Sequence, residues 1–169
     1  MRPLDRTLLN PPAAKSRAAE GEPTAQQVRD KLGVLVADDD HLVRVLVQLG
    51  LERDGVDVWL ASDGREAIHL YRTHRESIAV VLLDVHMPGL DGPATLDALR
   101  RLNPEVLVCF MSGDTGAYAP QELLQRGAAG LIAKPFHINE LANYLRLLMQ
   151  GVPTDPLPSF GGCRGCPRK

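Results

Sequence analysis

Aspartates directly follow two apolar runs of the chain, and their number and spacing suit the binding of a cation. The triplet Asp38-Asp39-Asp40 follows the run Gly33–Ala37, and Asp84 ends a second apolar run that contains two valines, Val80 and Val81. Adjacent carboxylates repel one another unless a cation neutralises them, and hard oxygen ligands of this kind suit Mg²⁺. Capping of a following helix explains one or two members of the triplet. We favour metal binding, with which capping is compatible.

Two other polar residues follow apolar runs in the same way. Ser112 comes after Val106–Met111, and Lys134 comes after Ala128–Ala133. Carboxyl ends of parallel strands meet at one sheet edge, so these residues should converge with the aspartates. Phosphoryl transfer to a carboxylate unites them, with Asp84 as the nucleophile. Mg²⁺, held by Asp38, Asp39 and Asp84, and the Lys134 ammonium would offset the added charge, and the Ser112 hydroxyl would donate to a phosphate oxygen. Taken singly, each residue also has a structural interpretation as a cap, a turn residue or a solvated lysine.

Apolar runs and helical patterns alternate five times along the chain. The predicted strands are Gly33–Ala37, Val56–Ala61, the run ending at Asp84, Val106–Met111 and Ala128–Ala133; the predicted helices are His41–Arg53, Gly64–Arg75, Pro93–Leu102, Gln121–Arg126 and Asn139–Met149. This order predicts an α/β fold with a doubly wound, five-stranded parallel sheet. Asp57 and Trp59 interrupt the second run, which favours an edge position for that strand.

The first predicted helix has two apolar stripes, although a helix on one sheet face needs only one. The stripe expected to face the sheet consists of Val43, Leu46, Val47, Gly50 and Leu51, and the second consists of Leu42, Val45 and Leu49. The second stripe indicates either wider burial or an exposed docking face, and the sequence leaves both open.

Composition predicts one globular domain at residues 32–150 between two short flanks. The flanks are a disordered or partly helical extension, 1–31, with a possible helix at Thr24–Lys31, and a Pro/Gly-rich tail, 151–169. The 169-residue chain has a net charge of −2. Residues 1–31 hold six basic and four acidic residues and residues 151–169 three and one, which leaves ten basic and sixteen acidic residues between them, a net charge of −6. This argues against a nucleic-acid surface on the core, and the apolar runs are too short for a membrane span.

Cysteines and the amino terminus favour a cytoplasmic protein. The three cysteines do not form a disulfide framework, and no apolar stretch of signal-peptide length opens the chain. Cys163 and Cys166 form a lone C-x-x-C pair, a spacing typical of half a zinc site or of a redox pair. With no second pair nearby, we interpret it as a chance occurrence, with a metal ion shared between two molecules as the main alternative. His69 and His74 are expected to be solvated.

These motifs together resemble the receiver domain of bacterial two-component response regulators. The resemblance covers about Gly33 to Gln150, and it is carried by Val34–Asp40 with Arg44, Leu82–Gly92, Phe110–Gly113 and Ala133–Phe136. It implies a flavodoxin-like fold with strand order 2-1-3-4-5. It also implies that Asp84 accepts a phosphoryl group and that Asp38, Asp39, Asp84 and the backbone carbonyl of His86 hold Mg²⁺. Ser112 would be the switch hydroxyl, and Lys134 would pair with the phosphate.

The resemblance also implies partners. The phosphodonor would be a histidine kinase or a histidine phosphotransfer protein. The second apolar stripe of the first helix, Leu42, Val45 and Leu49, is the surface on which we expect it to dock. Output would pass to an unknown downstream protein, from a monomer or weak dimer. His86 and Asp114, which flank the approach of water to the acyl phosphate, would set its lifetime.

The chain departs from the family's pattern in three places. Leu131 occupies the position of the usual aromatic switch residue, Ser112 replaces the commoner threonine, and only a tail follows the domain. Two other functions compete with a signalling phospho-acceptor. A Mg²⁺-dependent phosphatase usually needs a second acid two residues after the nucleophile, where this chain has His86. An interaction domain that has lost phosphorylation would not need Asp84, Lys134 and the acidic pair.

Overall fold

A computed structural model describes residues 33–113 and 118–152 of the chain. The strands are β1 Gly33–Ala37, β2 Asp57–Ala61, β3 Val80–Asp84, β4 Leu107–Ser112 and β5 Gly130–Ala133. The helices are α1 His41–Arg53, α2 Gly64–His74, α3 Gly92–Leu102, α4 Pro120–Gln125 and α5 Ile138–Met149. All ten predicted elements are present, with ends that differ from the prediction by no more than two residues.

The strands form one parallel sheet in the order β2-β1-β3-β4-β5. The predicted fold class, strand order and edge position of β2 are therefore confirmed. Every residue of β1 and β3 is buried, as expected for strands that are covered on both faces. The order reverses between β1 and β3, and open α/β sheets place their ligand sites at such a reversal. Asp38 and Asp84 lie at this point.

Helices cover both faces of the sheet. On one face, α1 and α5 pack with inward residues that include Val47, Leu51 and Leu141. On the other, α2, α3 and α4 pack around residues such as Tyr71 and Leu96. Among the described residues, no helix is long and apolar enough to cross a membrane.

The two stripes of α1 are only partly as predicted. Val47 and Leu51 are buried, but Leu46, predicted to face the sheet, is 56% exposed. The buried face is centred on Val47 and Leu51, and Gly50, which lies against the Ile138 side chain of α5 where a Cβ would have no room, borders it. With about 3.6 residues per turn, Leu46 then falls on the flank of the helix.

Leu42 and Leu49 of the second stripe are 75% and 64% exposed, and Val45 is half-buried. Leu42, Val45, Leu46 and Leu49 thus form one apolar surface, called here the α1 leucine face. The sequence left open whether the second stripe is buried or forms an exposed docking face. Burial is wrong for Leu42 and Leu49, as far as the described part of the chain shows.

The prediction that His74 is solvated is wrong. Its imidazole is half-buried and lies against the Trp59 ring, with the ring centroids 5.4 Å apart. Residue 74 ends α2 beside the edge strand β2, so the aromatic surface of Trp59 is available to it. His69 is exposed as predicted. The N-terminal extension, Asp114 and the tail with Cys163 and Cys166 lie outside the described residues.

Candidate functional site

Three carboxylates meet beyond the carboxyl ends of β1 and β3. Asp38 and Asp84 are buried and Asp39 is exposed, and oxygen atoms of all three lie within 4.8 Å of one another. The strands position two of them, because Asp38 directly follows β1 and Asp84 is the last residue of β3. The sequence-predicted acidic cluster is therefore present.

Asp40, the third member of the triplet, has a different role. Its carboxylate accepts a hydrogen bond of 2.8 Å from the backbone N–H of Leu42 and caps α1. Its own N–H donates to Asp38 Oδ1 at 2.9 Å. Capping therefore accounts for Asp40 and leaves Asp38 and Asp39 as candidate metal ligands.

The Lys134 ammonium bridges the two buried carboxylates. Nζ lies 2.5 Å from Asp38 Oδ2 and 2.6 Å from Asp84 Oδ1. Burial by itself would lower the Lys134 pKa, but the hydrogen bonds and charges of Asp38 and Asp84 outweigh it and raise that pKa. Lys134 comes directly after β5, and its N–H donates to the Ser112 carbonyl at 2.8 Å.

Burial raises the pKa of Asp84, while the hydrogen bond and charge of Lys134 oppose the rise. The second oxygen, Oδ2, accepts a hydrogen bond of 3.0 Å from the His86 N–H. The His86 side chain itself is exposed, whereas Ser112 is buried at the end of β4. A buried carboxylate with one cationic partner keeps its charge at a free-energy cost, which a second cation would reduce.

The donor set at this site fits Mg²⁺. It consists of three carboxylates whose charge exceeds that of the one ammonium in contact with them. Mg²⁺ prefers oxygen ligands and is usually held by one or two carboxylates with other oxygens completing its shell. An ammonium cannot be a ligand, so Lys134 is not part of this donor set.

Two residues that support the site were not identified as such from the sequence. Arg44 Nη1 donates to the Asp38 carbonyl at 2.5 Å and so fixes the main chain beside the carboxylate. Gly92 packs against the Asp84 carbonyl, where a Cβ would have no room, and its N–H donates to the Val85 carbonyl at 3.0 Å. An arginine on a polar helix flank and a glycine after Asp91 are weak signals on their own.

Comparison with known proteins agrees with this geometry. The family model of the response regulator receiver domain matches residues 34–146. The chain is 34% identical over 117 residues to the transcriptional regulatory protein PrrA of Mycobacterium tuberculosis, a match that covers 69% of this chain and 49% of PrrA. The chain therefore spans about half the length of the curated relatives it matches first.

Two solved structures are also similar. The receiver domain of Francisella response regulator 1452 is 33% identical, with a TM-score of 0.65, over 72% of this chain and 98% of that one. The chemotaxis protein CheY4 of Vibrio cholerae is 30% identical, with a TM-score of 0.64, over 69% of this chain and 97% of that one.

Proposed function

Because this chain belongs to the response regulator receiver domain family, a family of signalling phospho-acceptors in two-component systems, we propose that Asp84 is its phosphorylation site. The observation that carries the proposal is the Lys134 bridge between Asp84 and Asp38, 2.6 and 2.5 Å long. It places a fixed cation beside the proposed nucleophile and an acidic pocket for a second cation next to it.

The proposed reaction is attack of an Asp84 carboxylate oxygen on the phosphorus of a phosphohistidine. A P–O bond forms while the P–N bond of the donor breaks, and the imidazole nitrogen keeps the electron pair and takes up a proton. Asp84 has to be ionised for this step, and Lys134 favours its ionised form. Once the phosphoryl group is in place, Lys134 would pair with one of its oxygens and the Ser112 hydroxyl would donate to another.

Mg²⁺ would be held by Asp38, Asp39 and Asp84 with the backbone carbonyl of His86. Bound there, it would supply positive charge that offsets the charge of the phosphoryl oxygens. The chain's own contribution is to hold the carboxylates in place, since Asp38 is fixed through its neighbours Arg44 and Asp40 and Asp84 through Lys134 and His86.

Incubation with acetyl phosphate tests the function without a protein donor. With Mg²⁺, mass spectrometry should find one added phosphoryl group and peptide mapping should place it on Asp84; EDTA should prevent the addition. We also propose that the chain does not turn over phosphomonoesters, so p-nitrophenyl phosphate should give no continuous release of p-nitrophenol. A phosphoryl group mapped to another residue, or multiple turnovers, would contradict the proposal.

For the donor, we propose a histidine kinase or histidine phosphotransfer protein that docks on the α1 leucine face. Three of its residues, Leu42, Leu46 and Leu49, are more than half exposed. The helix begins at His41, directly after the acidic residues, so a protein on this face would reach the phosphorylation site. Exposed apolar side chains grouped next to a reactive site are typical of protein interfaces.

A charged side chain on the α1 leucine face should slow phosphoryl transfer from the protein donor but not from acetyl phosphate. We expect Leu42→Glu and Leu49→Glu to slow transfer from the phosphorylated donor by about tenfold or more, as loss of a central interface side chain does, and to leave the reaction with acetyl phosphate unchanged. Leu124→Glu on α4, at a residue 38% exposed, is the matched control. Donor transfer at the wild-type rate in both α1 variants would exclude this docking face.

His86 and Asp114 are proposed to set the lifetime of the acyl phosphate by orienting or activating water. The exposed His86 side chain supports access to water, and Asp114 lies outside the described residues. Phosphate loss in His86→Ala, Asp114→Ala and the double variant should change by more than about twofold and non-additively. Unchanged rates in all three would remove both residues from the mechanism.

Output through an unknown downstream protein, a monomeric or weakly dimeric state and a cytoplasmic location complete the proposal. Output through a protein is supported by the acidic net charge of residues 32–150, which disfavours direct nucleic-acid binding. The location is supported by the three cysteines, which do not form a disulfide framework.

A further inference from the structure

Tyr118 is joined to the loop that follows the proposed phosphorylation site. Its phenol O–H donates a hydrogen bond of 2.9 Å to Asp91 Oδ2. The other oxygen of the same carboxylate accepts from the Ala94 N–H at 2.9 Å and caps α3. The hydrogen bond to Asp91 raises the pKa of Tyr118, as expected for a phenol that donates to a carboxylate. One carboxylate therefore connects Tyr118 with the first turn of α3.

A short path of packed atoms leads from this carboxylate to Asp84. Asp91 is followed by Gly92, which lies so close to the Asp84 carbonyl that a Cβ would overlap it. A Cβ at Gly92 would also lie 3.0 Å from the Phe110 ring of β4 and from the Val85 Cα. The backbone of Asp91 therefore cannot shift far without moving the main chain of Asp84.

Tyr118 also contacts the surface between α3 and α4. The Arg126 guanidinium carbon lies 5.8 Å from the centre of the Tyr118 ring. The same guanidinium pairs with Asp97 of α3 at 3.5 Å and with Glu122 of α4 at 3.2 Å. The ring is only partly buried, and it packs against the same core cluster as Leu131. Tyr118 thus links the loop after β3, the segment after β4 and the α3–α4 surface.

We propose that Tyr118 is a positioning residue for the phosphorylation site. Its hydrogen bond to Asp91 holds the loop between Asp84 and α3 in the arrangement described above. Filling the site moves this loop through Gly92 and weakens the bond, so the bond opposes filling. The proposal rests on the proposed function of Asp84.

Thermodynamic linkage determines whether loss of the Tyr118–Asp91 hydrogen bond raises or lowers the affinity of the site for its ligand. An interaction that weakens when the site is filled lowers the affinity for whatever fills the site, and its removal raises that affinity. The hydroxyl alone should matter, because Tyr118→Phe keeps the ring, its packing on the core and its contact with Arg126. A hydrogen bond to a charged group at a partly exposed position corresponds to about a three- to tenfold change in affinity.

Beryllofluoride, an anion that occupies the place of a phosphoryl group on a carboxylate, is the probe. Fluorine NMR in the presence of Mg²⁺ measures the bound anion in wild type, Tyr118→Phe and Tyr71→Phe. Tyr71 is the matched control, because its hydroxyl also takes part in a hydrogen bond, which it accepts from Asn103. Tyr71 is buried and lies outside the path from Asp91 through Gly92 to Asp84. We expect binding about three- to tenfold tighter in Tyr118→Phe and unchanged binding in Tyr71→Phe, with both variants losing little thermal stability.

A second readout is the NMR signal of the Tyr118 ring in protein with labelled tyrosine rings, which reports on the hydrogen bond to Asp91. This signal is assigned by its absence from the spectrum of Tyr118→Phe. The signal should shift when wild type binds beryllofluoride. Bound fluoride with an unshifted Tyr118 signal, or an affinity in Tyr118→Phe within twofold of wild type or weaker, would overturn the proposal while leaving Asp84 as the acceptor. The absence of any bound fluoride signal in wild type would instead overturn the proposed function, and the role of Tyr118 with it.

Discussion

Replacing Lys134 with alanine should lower the free energy of unfolding of the metal-free protein by about 3 kcal/mol. Removal of one partner of a buried ion pair costs about 3–5 kcal/mol, because the remaining charge is left without compensation. Here two carboxylates lose their partner, with side chains only 1% and 9% exposed. The lower end of the range applies because the Lys134 side chain is itself 22% exposed and so is partly screened by solvent.

Denaturant titration in EDTA measures this loss, and Arg126→Ala is the control for removal of a surface cation. Arg126 pairs with Asp97 and Glu122 through side chains that are all more than a third exposed, so its loss should cost no more than about 1 kcal/mol. Mg²⁺ should restore much of the stability of Lys134→Ala, and its affinity should equal or exceed that of wild type because a competing positive charge is gone. Greatly weakened Mg²⁺ binding would contradict the proposal that Lys134 pairs with the phosphoryl group and takes no part in holding the metal ion.

Alkaline pH should reduce the difference between wild type and Lys134→Ala. The pKa of Lys134 is raised in the folded state above its ordinary value of 10.5. A group of this kind contributes its full stabilisation below the unfolded-state pKa and loses it as the pH rises through the folded-state pKa. The stability difference should therefore be constant from neutral pH to about pH 10 and narrow above that. A difference that stayed constant at high pH would mean that it does not come from the ammonium charge.

Strand ends were predictable from the sequence because the signal there is simple. An unbroken apolar run that ends in a polar residue fixes both the strand and its exit edge, and parallel strands share that edge. For this reason Asp38, Asp84, Ser112 and Lys134 could be assigned to one place without coordinates. The direct contact of Lys134 with both buried aspartates goes beyond the prediction, which pairs this lysine with the phosphoryl group.

Helix faces and contacts between loops were less predictable. Whether Leu46 faces the sheet or the solvent depends on where α5 packs on α1, and the close contact of Gly50 with Ile138 is not encoded in the periodicity of α1. His74 lies against Trp59 for a similar reason, because the two residues belong to different elements. The Tyr118–Asp91 hydrogen bond joins residues 27 positions apart in two loops, where no periodic pattern operates.

The phosphorylation yield of Asp84→Asn tests the central claim most directly. An amide cannot form the acyl phosphate, so acetyl phosphate and Mg²⁺ should phosphorylate wild type on this residue and leave Asp84→Asn without a stable adduct. Asp40→Asn is the matched control: it removes the same charge close by, and asparagine caps a helix about as well as aspartate. Intact-mass measurement should find the wild-type yield in Asp40→Asn and none in Asp84→Asn. A yield in Asp84→Asn equal to that of wild type would contradict the assignment of Asp84 as the phospho-acceptor.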